Sequence, residues 1–198
     1  MSLIKPNQLT EKENYKILSG TIIPRPIAFV TTINENETIN GAPFSFFNVV
    51  SANPPLISLS ILKRDSKSKD TARNIIKNKE FVVNIPSASF FEQINDAALS
   101  LEYNKSEVDL VGLTKIQSEL IKTPGIKEAL VRFEVVLEQH LEINESADLI
   151  IGKIVLYHLD EKIYDGSYID YKVLDPLGRI AGSNYVKLSN IVTFKRPK

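Results

Sequence analysis

Apolar and polar residues alternate strictly in several stretches of this chain. In LISLSIL, Ile57, Leu59 and Ile61 take one face and Ser58 and Ser60 the other, the two-residue period of a half-buried strand. PIAFVTTI (Pro26 to Ile33) and EFVVNIP are rich in β-branched and aromatic residues and predict two more. LVRFEVVLEQHLEI alternates throughout, with Phe133, Val135, Leu137 and Leu141 on one face and Arg132, Glu134, Glu138, His140 and Glu142 on the other. ADLIIGKIVLYHLDEKIY is expected to follow as a strand with a bulge at Gly152. LSNIVTF is expected to be the last strand.

Helical patterns are fewer. Thr10-Glu11-Lys12-Glu13 has the form of a capping box, followed by Tyr15, Ile17 and Leu18 and a stop at Gly20. Residues 1–20 therefore read as an N-terminal helical extension. A helix from Asp70 to about Asn78 would bury Ala72, Ile75 and Ile76. SASFFEQINDAALS looks helical, and the residues after it read as loops with short elements. Nothing resembles a linker, a repeat or a low-complexity tract. The expectation is one domain over 1–198, mainly β with helical additions, most simply a β-barrel.

One stretch breaks the alternation. In NGAPFSFFNVVSANPP, Ser45, Asn48 and Ser51 recur every third residue among Phe46, Phe47, Val49 and Val50. Three is not a strand period, and Asn53-Pro54-Pro55 stops a helix. An irregular segment of this kind would free backbone groups. Its Ser and Asn side chains would suit the rim of a planar heteroaromatic ring, with Phe and Val against the faces. The alternative is a barrel-corner loop whose Ser and Asn bond their own backbone.

Charge adds a second stretch. The 24 Lys and Arg balance 24 Asp and Glu, so any anion site must be local, and neither nucleic acid nor a membrane surface is indicated. KRDSKSKDTARNI concentrates Lys63, Arg64, Lys67, Lys69 and Arg73 against Asp65 and Asp70, and runs into the predicted helix. Ser66, Ser68, Lys69 and Thr71 at a helix start suit a phosphate; a solvated loop with an ordinary N-cap is the alternative. DPLGRIAGSNY forms a constrained loop in which Arg179 and Tyr185 would reach an anion or a ring, or simply turn the chain.

Further classes are excluded by what the sequence lacks. No cysteine means no disulfide, thiolate nucleophile or iron–sulfur cluster, and two histidines, His140 and His158, do not make a multi-histidine metal site. His140 is expected to be exposed. His158 shares a face with Ile154 and Leu156 and reads as a half-buried structural histidine, with a catalytic role as the alternative. There is no Rossmann or P-loop glycine pattern. The 198 residues suffice for a core burying roughly 70% of the chain's surface. No apolar run reaches membrane-spanning length, and MSLIKPNQLTEKENYK lacks a signal-peptide apolar region. A soluble, cytoplasmic protein is expected.

PRPIAFVTT, NGAPFSFFNVVSANPPLISLSI, KDTARNI, EFVVNIP, TPGIKEALVRFEV, LIIGKIVLYH and PLGRIAGSNY, in that order, resemble the flavin reductase-like family of the FMN-binding split-barrel superfamily, in its flavoredoxin-type branch. The resemblance implies an FMN-binding split β-barrel that forms a homodimer with the flavin at the subunit interface. It implies that Ser45 to Ser51 line the isoalloxazine ring and ribityl chain. Lys69 and Thr71, helped by Ser60 or Ser68, would hold the phosphate, and Arg179 and Tyr185 would close the site. Ala181 stands where this branch often has a second glycine. The implied activity is that of an NAD(P)H-dependent flavin reductase, with an electron-transfer or regulatory flavin module as the alternative. NADH or NADPH would stack on the flavin without a Rossmann domain. A split barrel that binds another ligand, or none, stands as a third reading.

Overall fold

β-branched and aromatic runs pair into one antiparallel sheet in the computed structural model, which describes residues 1–99 and 101–195. Its strands are β1 (Ala28–Ile33), β2 (Ile39–Phe44), β3 (Phe47–Ala52), β4 (Pro55–Leu62) and β5 (Glu80–Asn84), then β8 (Val131–Ile143) and β9 (Ala147–Leu159). The short pairs β6 (Lys115–Ile116) with β7 (Gly125–Ile126), and β10 (Leu177–Arg179) with β11 (Tyr185–Lys187), lie apart. Sheet order is β2-β1-β5-β8-β9-β4-β3. The two strands at the ends of that order follow one another in the chain, so the bent stretch 39–52 pairs with β1 at its start and β4 at its end and closes a barrel. Inside, Ala28, Val30, Leu59, Ile61, Phe81, Val83, Val135 and Ile150 form a solvent-excluded core. Each such large apolar side chain contributes about 1.5–3 kcal/mol on burial.

The helices are α1 (Glu11–Thr21), α2 (Asp70–Asn78), α3 (Phe91–Asp96), α4 (Glu107–Leu110) and α5 (Tyr171–Leu174). α1 has the predicted capping box, Thr10 with Glu13. α2 buries Ala72 and Ile75 into the barrel core. A second core joins Phe29, on the outer face of β1, to Phe90, Ile94, Val108, Leu113 and Ile126. α3, α4 and β7 thereby form a cap over one side of the barrel. The helical stretch predicted from residue 87 is a 3-10 turn (Ala88–Phe90) followed by α3; its last residue, Ser100, lies outside the described residues.

Three expectations change. Residues 47–52 are a strand rather than an irregular segment, with a bulge at Val50 between the Val49–Ile57 and Ser51–Leu56 pairs. Register shifts fall between Glu134 and Val135, where the extra residue is Val155 of β9, and between Leu137 and Gln139, where it is Glu138 and breaks the alternation of β8. The Glu138 bulge exchanges the faces of the residues beyond it: Leu141 is exposed, and His140 is half-buried with Nε2 2.9 Å from Asp148 Oδ1. Glu134 stays on the face opposite Phe133 and Val135 and is fully buried there, under the Glu119 and Leu120 N–H groups. The segment LSNIVTF is not a strand, because β11 ends at Lys187 and the described residues after it have no ladder partner.

Candidate functional site

A buried arginine ties together the segments around one end of a groove. Arg25, 6% exposed, donates from Nη1 to the carbonyls of Ser19 (2.6 Å) and Ile22 (2.7 Å) at the end of α1. Nη2 donates to the Ile180 carbonyl at 3.3 Å, and Nε to Ser45 Oγ at 3.5 Å. Its guanidinium lies 5.8 Å from the centre of the Phe46 ring. The Arg25 and Arg179 backbones exchange hydrogen bonds of 3.0 and 2.8 Å. Gly178 makes that pairing possible: a Cβ there would lie 2.7 Å from Pro24 Cβ. The Pro-Arg-Pro stretch and the C-terminal loop, some 150 residues apart, are thus built as one unit.

Arg179 donates to Tyr185 Oη and to the Gly182 carbonyl. Tyr185 Oη donates to Asn95 Oδ1 at 3.2 Å, and its ring meets Phe91 edge-on at 4.6 Å. With Tyr15, Pro43, Phe44 and Ser45 these residues enclose a pocket of about 210 Å³. Pro43 and Phe44 are shared with a larger cleft of about 420 Å³, lined by Ser68, Lys69, Thr71 and Glu107. They are also shared with a third recess of about 150 Å³ that reaches Phe46, Ser60 and Lys69. The three form one continuous groove, cationic at the start of α2 and aromatic and polar at the C-terminal loop.

At the cationic end Lys69 is the N-cap residue of α2, where the first-turn N–H groups have no helical partner. Its ammonium has no hydrogen-bond or ion-pair partner among the described residues. Burial, and then the charge of Arg64, hold its pKa below the ordinary lysine value. Thr71 is buried and donates to Asn40 Oδ1 at 2.8 Å. Asn40 Nδ2 and the Gly41 N–H in turn donate to Glu107 Oε2 at 2.9 and 3.1 Å. Burial pushes the Glu107 carboxyl up, and these donors pull it partly back.

Of the residues singled out in the sequence, Ser45, Phe46, Ser60, Ser68, Lys69, Thr71, Arg179 and Tyr185 line this groove. Phe47, Asn48, Val49, Val50 and Ser51 do not line it. Asn48 Oδ1 accepts from the Val49 N–H and Ser51 Oγ from the Asn53 N–H, which is the local backbone bonding of the alternative reading. His158 lies at a separate cavity, with Nε2 2.6 Å from the buried Glu134 carboxylate. Sequence reasoning missed Arg25, Asn40, Asn95 and Glu107. Only Arg25 left a signal, a lone cation between two prolines.

Residues 19–174 match the family model described as the flavin reductase like domain. The chain is 47% identical over 204 aligned residues to the uncharacterized protein YwrF of Bacillus subtilis (strain 168), with all of both chains covered. The structure of nitrilotriacetate monooxygenase component B from Bacillus cereus is 46% identical, with a TM-score of 0.95 over 98% of each chain. That of 2-nitrobenzoate 2-nitroreductase NbaA from Pseudomonas fluorescens is 29% identical, with a TM-score of 0.91 over 99% of this chain and 96% of the other.

Proposed function

Given that the chain belongs to the flavin reductase-like family and has its split-barrel fold, we propose that it is an FMN-binding oxidoreductase that draws electrons from NADH or NADPH and works as a homodimer. The observation that carries this reading is the unpartnered Lys69 ammonium at the start of α2, at one end of a groove whose other end is closed by Arg179, Tyr185 and Asn95. The donor set fits a flavin monophosphate. Lys69, Ser68 and the first-turn N–H groups of α2 would hold the terminal phosphate. Ser45, Pro43 and Phe44, in the middle of the groove, would meet the ring system, and Arg179 and Tyr185 would shut out water beyond it. Thr71, with its hydroxyl proton committed to Asn40, would offer its backbone N–H.

Bound flavin would supply two-electron chemistry that no side chain in the groove possesses. Two similar structures bear the names of redox proteins, a monooxygenase component and a nitroreductase, which supports the oxidoreductase reading. The test is a titration of the purified protein with FMN, followed by flavin fluorescence. Saturable binding in the micromolar range is expected, and its absence below high-micromolar FMN would defeat the proposal. Anaerobic addition of NADH or NADPH to the complex should then bleach the flavin absorbance. Binding without bleaching would favour an electron-transfer module.

A further inference from the structure

Pro43, Phe29, Asn84, Arg132 and His158 are successive cross-strand partners across β2, β1, β5, β8 and β9. Directly opposed residues project from the same face of a sheet. The groove lies at the Pro43 end of this row. The cap built on Phe29 covers the middle, and the Ile126 N–H donates to Asn84 Oδ1 at 2.8 Å. The far end is a second cavity of about 380 Å³, bordered by Lys127, Arg132, His158 and Asp160. Three strand spacings, about 14 Å, separate Pro43 from Arg132, with the cap between.

Arg132 is half-buried. Its Nη1 donates to the Ala129 carbonyl at 3.2 Å, and among the described residues it has no other hydrogen-bond or ion-pair partner. A guanidinium has five N–H donors, so most of its capacity is unused. Its stem is pinned: a Cβ on Gly125 would come within 2.7 Å of Arg132 Cδ. The nearby carboxylates are occupied. Glu134, fully buried, accepts from the Glu119 and Leu120 N–H groups at 2.6 and 2.7 Å and pairs with His158. Asp160 Oδ1 accepts from the Lys162 N–H at 2.9 Å. Burial lowers the Arg132 pKa and the Glu134 charge raises it, but a guanidinium stays charged throughout the usual pH range.

We propose that this cavity is a second binding site, for a small molecule bearing an oxyanion, carboxylate or phosphate, with the Arg132 fork as its main donor and Lys127 as a second cation. Planar forks match both anions in bidentate geometry. The cavity volume leaves room for more than the anionic group itself.

Inorganic phosphate and citrate are the probes, titrated separately at constant ionic strength into the full-length protein by isothermal titration calorimetry. Lys69→Ala is the background, because it removes the cation assigned above to the flavin phosphate. Saturable binding of at least one probe is expected in Lys69→Ala, weakened at least about tenfold when Arg132→Gln is added. Arg132→Lys keeps the charge and loses the fork; it should weaken binding several-fold and decides the matter if the Gln variant does not fold. Phosphate alone or citrate alone would identify the source of the oxyanion. No saturable binding of either probe, or binding indifferent to both Arg132 substitutions, would overturn the proposal. FMN affinity in Arg132→Gln should match that of the unmodified protein, so this result stands apart from the outcome of the FMN titration.

Discussion

The Lys69 ammonium stands near Arg64 without a partner of its own, so an anion entering the cleft relieves repulsion as well as gaining a donor. A hydrogen bond to a charged group is worth about 1.5–3 kcal/mol. Lys69→Ala should therefore weaken FMN roughly 10- to 100-fold, while riboflavin, which lacks the phosphate, should bind almost as before. Equal losses for both would remove the phosphate from this end of the groove. The sign of the pH effect follows from the lowered Lys69 pKa. Between that depressed value and 10.5 the unfolded chain holds the proton that the free folded protein has lost, so this group adds stability as pH rises through the window. A bound phosphate restores the charge, so FMN affinity should fall across the same window and riboflavin affinity should not. Thr71 behaves differently, because its hydroxyl proton is given to Asn40. Thr71→Val should cost about 1–2 kcal/mol of stability, seen as a lower urea midpoint at unchanged slope, with FMN and riboflavin affected alike. Lys69 and Ser68 were legible because the helix start that orients them is adjacent in sequence. The Asn40–Glu107 and Tyr185–Asn95 contacts span 67 and 90 residues and leave no local spacing to read.

Strands and helices were legible wherever one periodicity ran unbroken, as in LISLSIL and in α2, whose predicted bounds match those found. β8 shows where such reading fails. Its residues alternate in sequence, but a bulge at Glu138 exchanges the faces partway, and nothing local distinguishes the bulged residue. The same limit applied to β3, where Val50 bulges out of an otherwise paired strand. Gly152 on β9 was assigned to a bulge, and the reason for a glycine there is close approach. It pairs with Leu137 beside the second shift, and an added Cβ would lie 2.5 Å from Val135 Cγ1 and 2.7 Å from Phe81 Cζ. Both neighbours are fully buried core residues that cannot turn away. Gly152→Ala should therefore destabilise the protein by about 1–3 kcal/mol through overpacking, measured by urea denaturation. An unchanged midpoint would mean that β8 and β9 separate more easily than their packing implies.

For the whole molecule, the single chain leaves apolar surface that a stable monomer would usually cover. Val49 and Val50 on β3 are 72% and 50% exposed. Ile22 and Ile23 after α1, and Ile191, Val192 and Phe194 in the C-terminal segment, are also exposed. Contiguous apolar patches on soluble proteins commonly mark association sites. In the proposed homodimer, a two-fold contact would place the same surfaces of both copies together. The β3 residues that miss their own groove, Asn48, Val49 and Val50, would then be available to the partner. The C-terminal run LSNIVTF would gain the neighbour it lacks in one chain. Light scattering at micromolar concentration should give twice the mass of one chain. Removal of residues 188–198 should shift the equilibrium toward monomer. If flavin binds across the contact, FMN affinity should fall on dilution into the monomer range, because a ligand held by two copies stabilises their association by mass action. A monomer with undiminished FMN affinity would place the whole site within one chain and leave the exposed valines of β3 without a role in it.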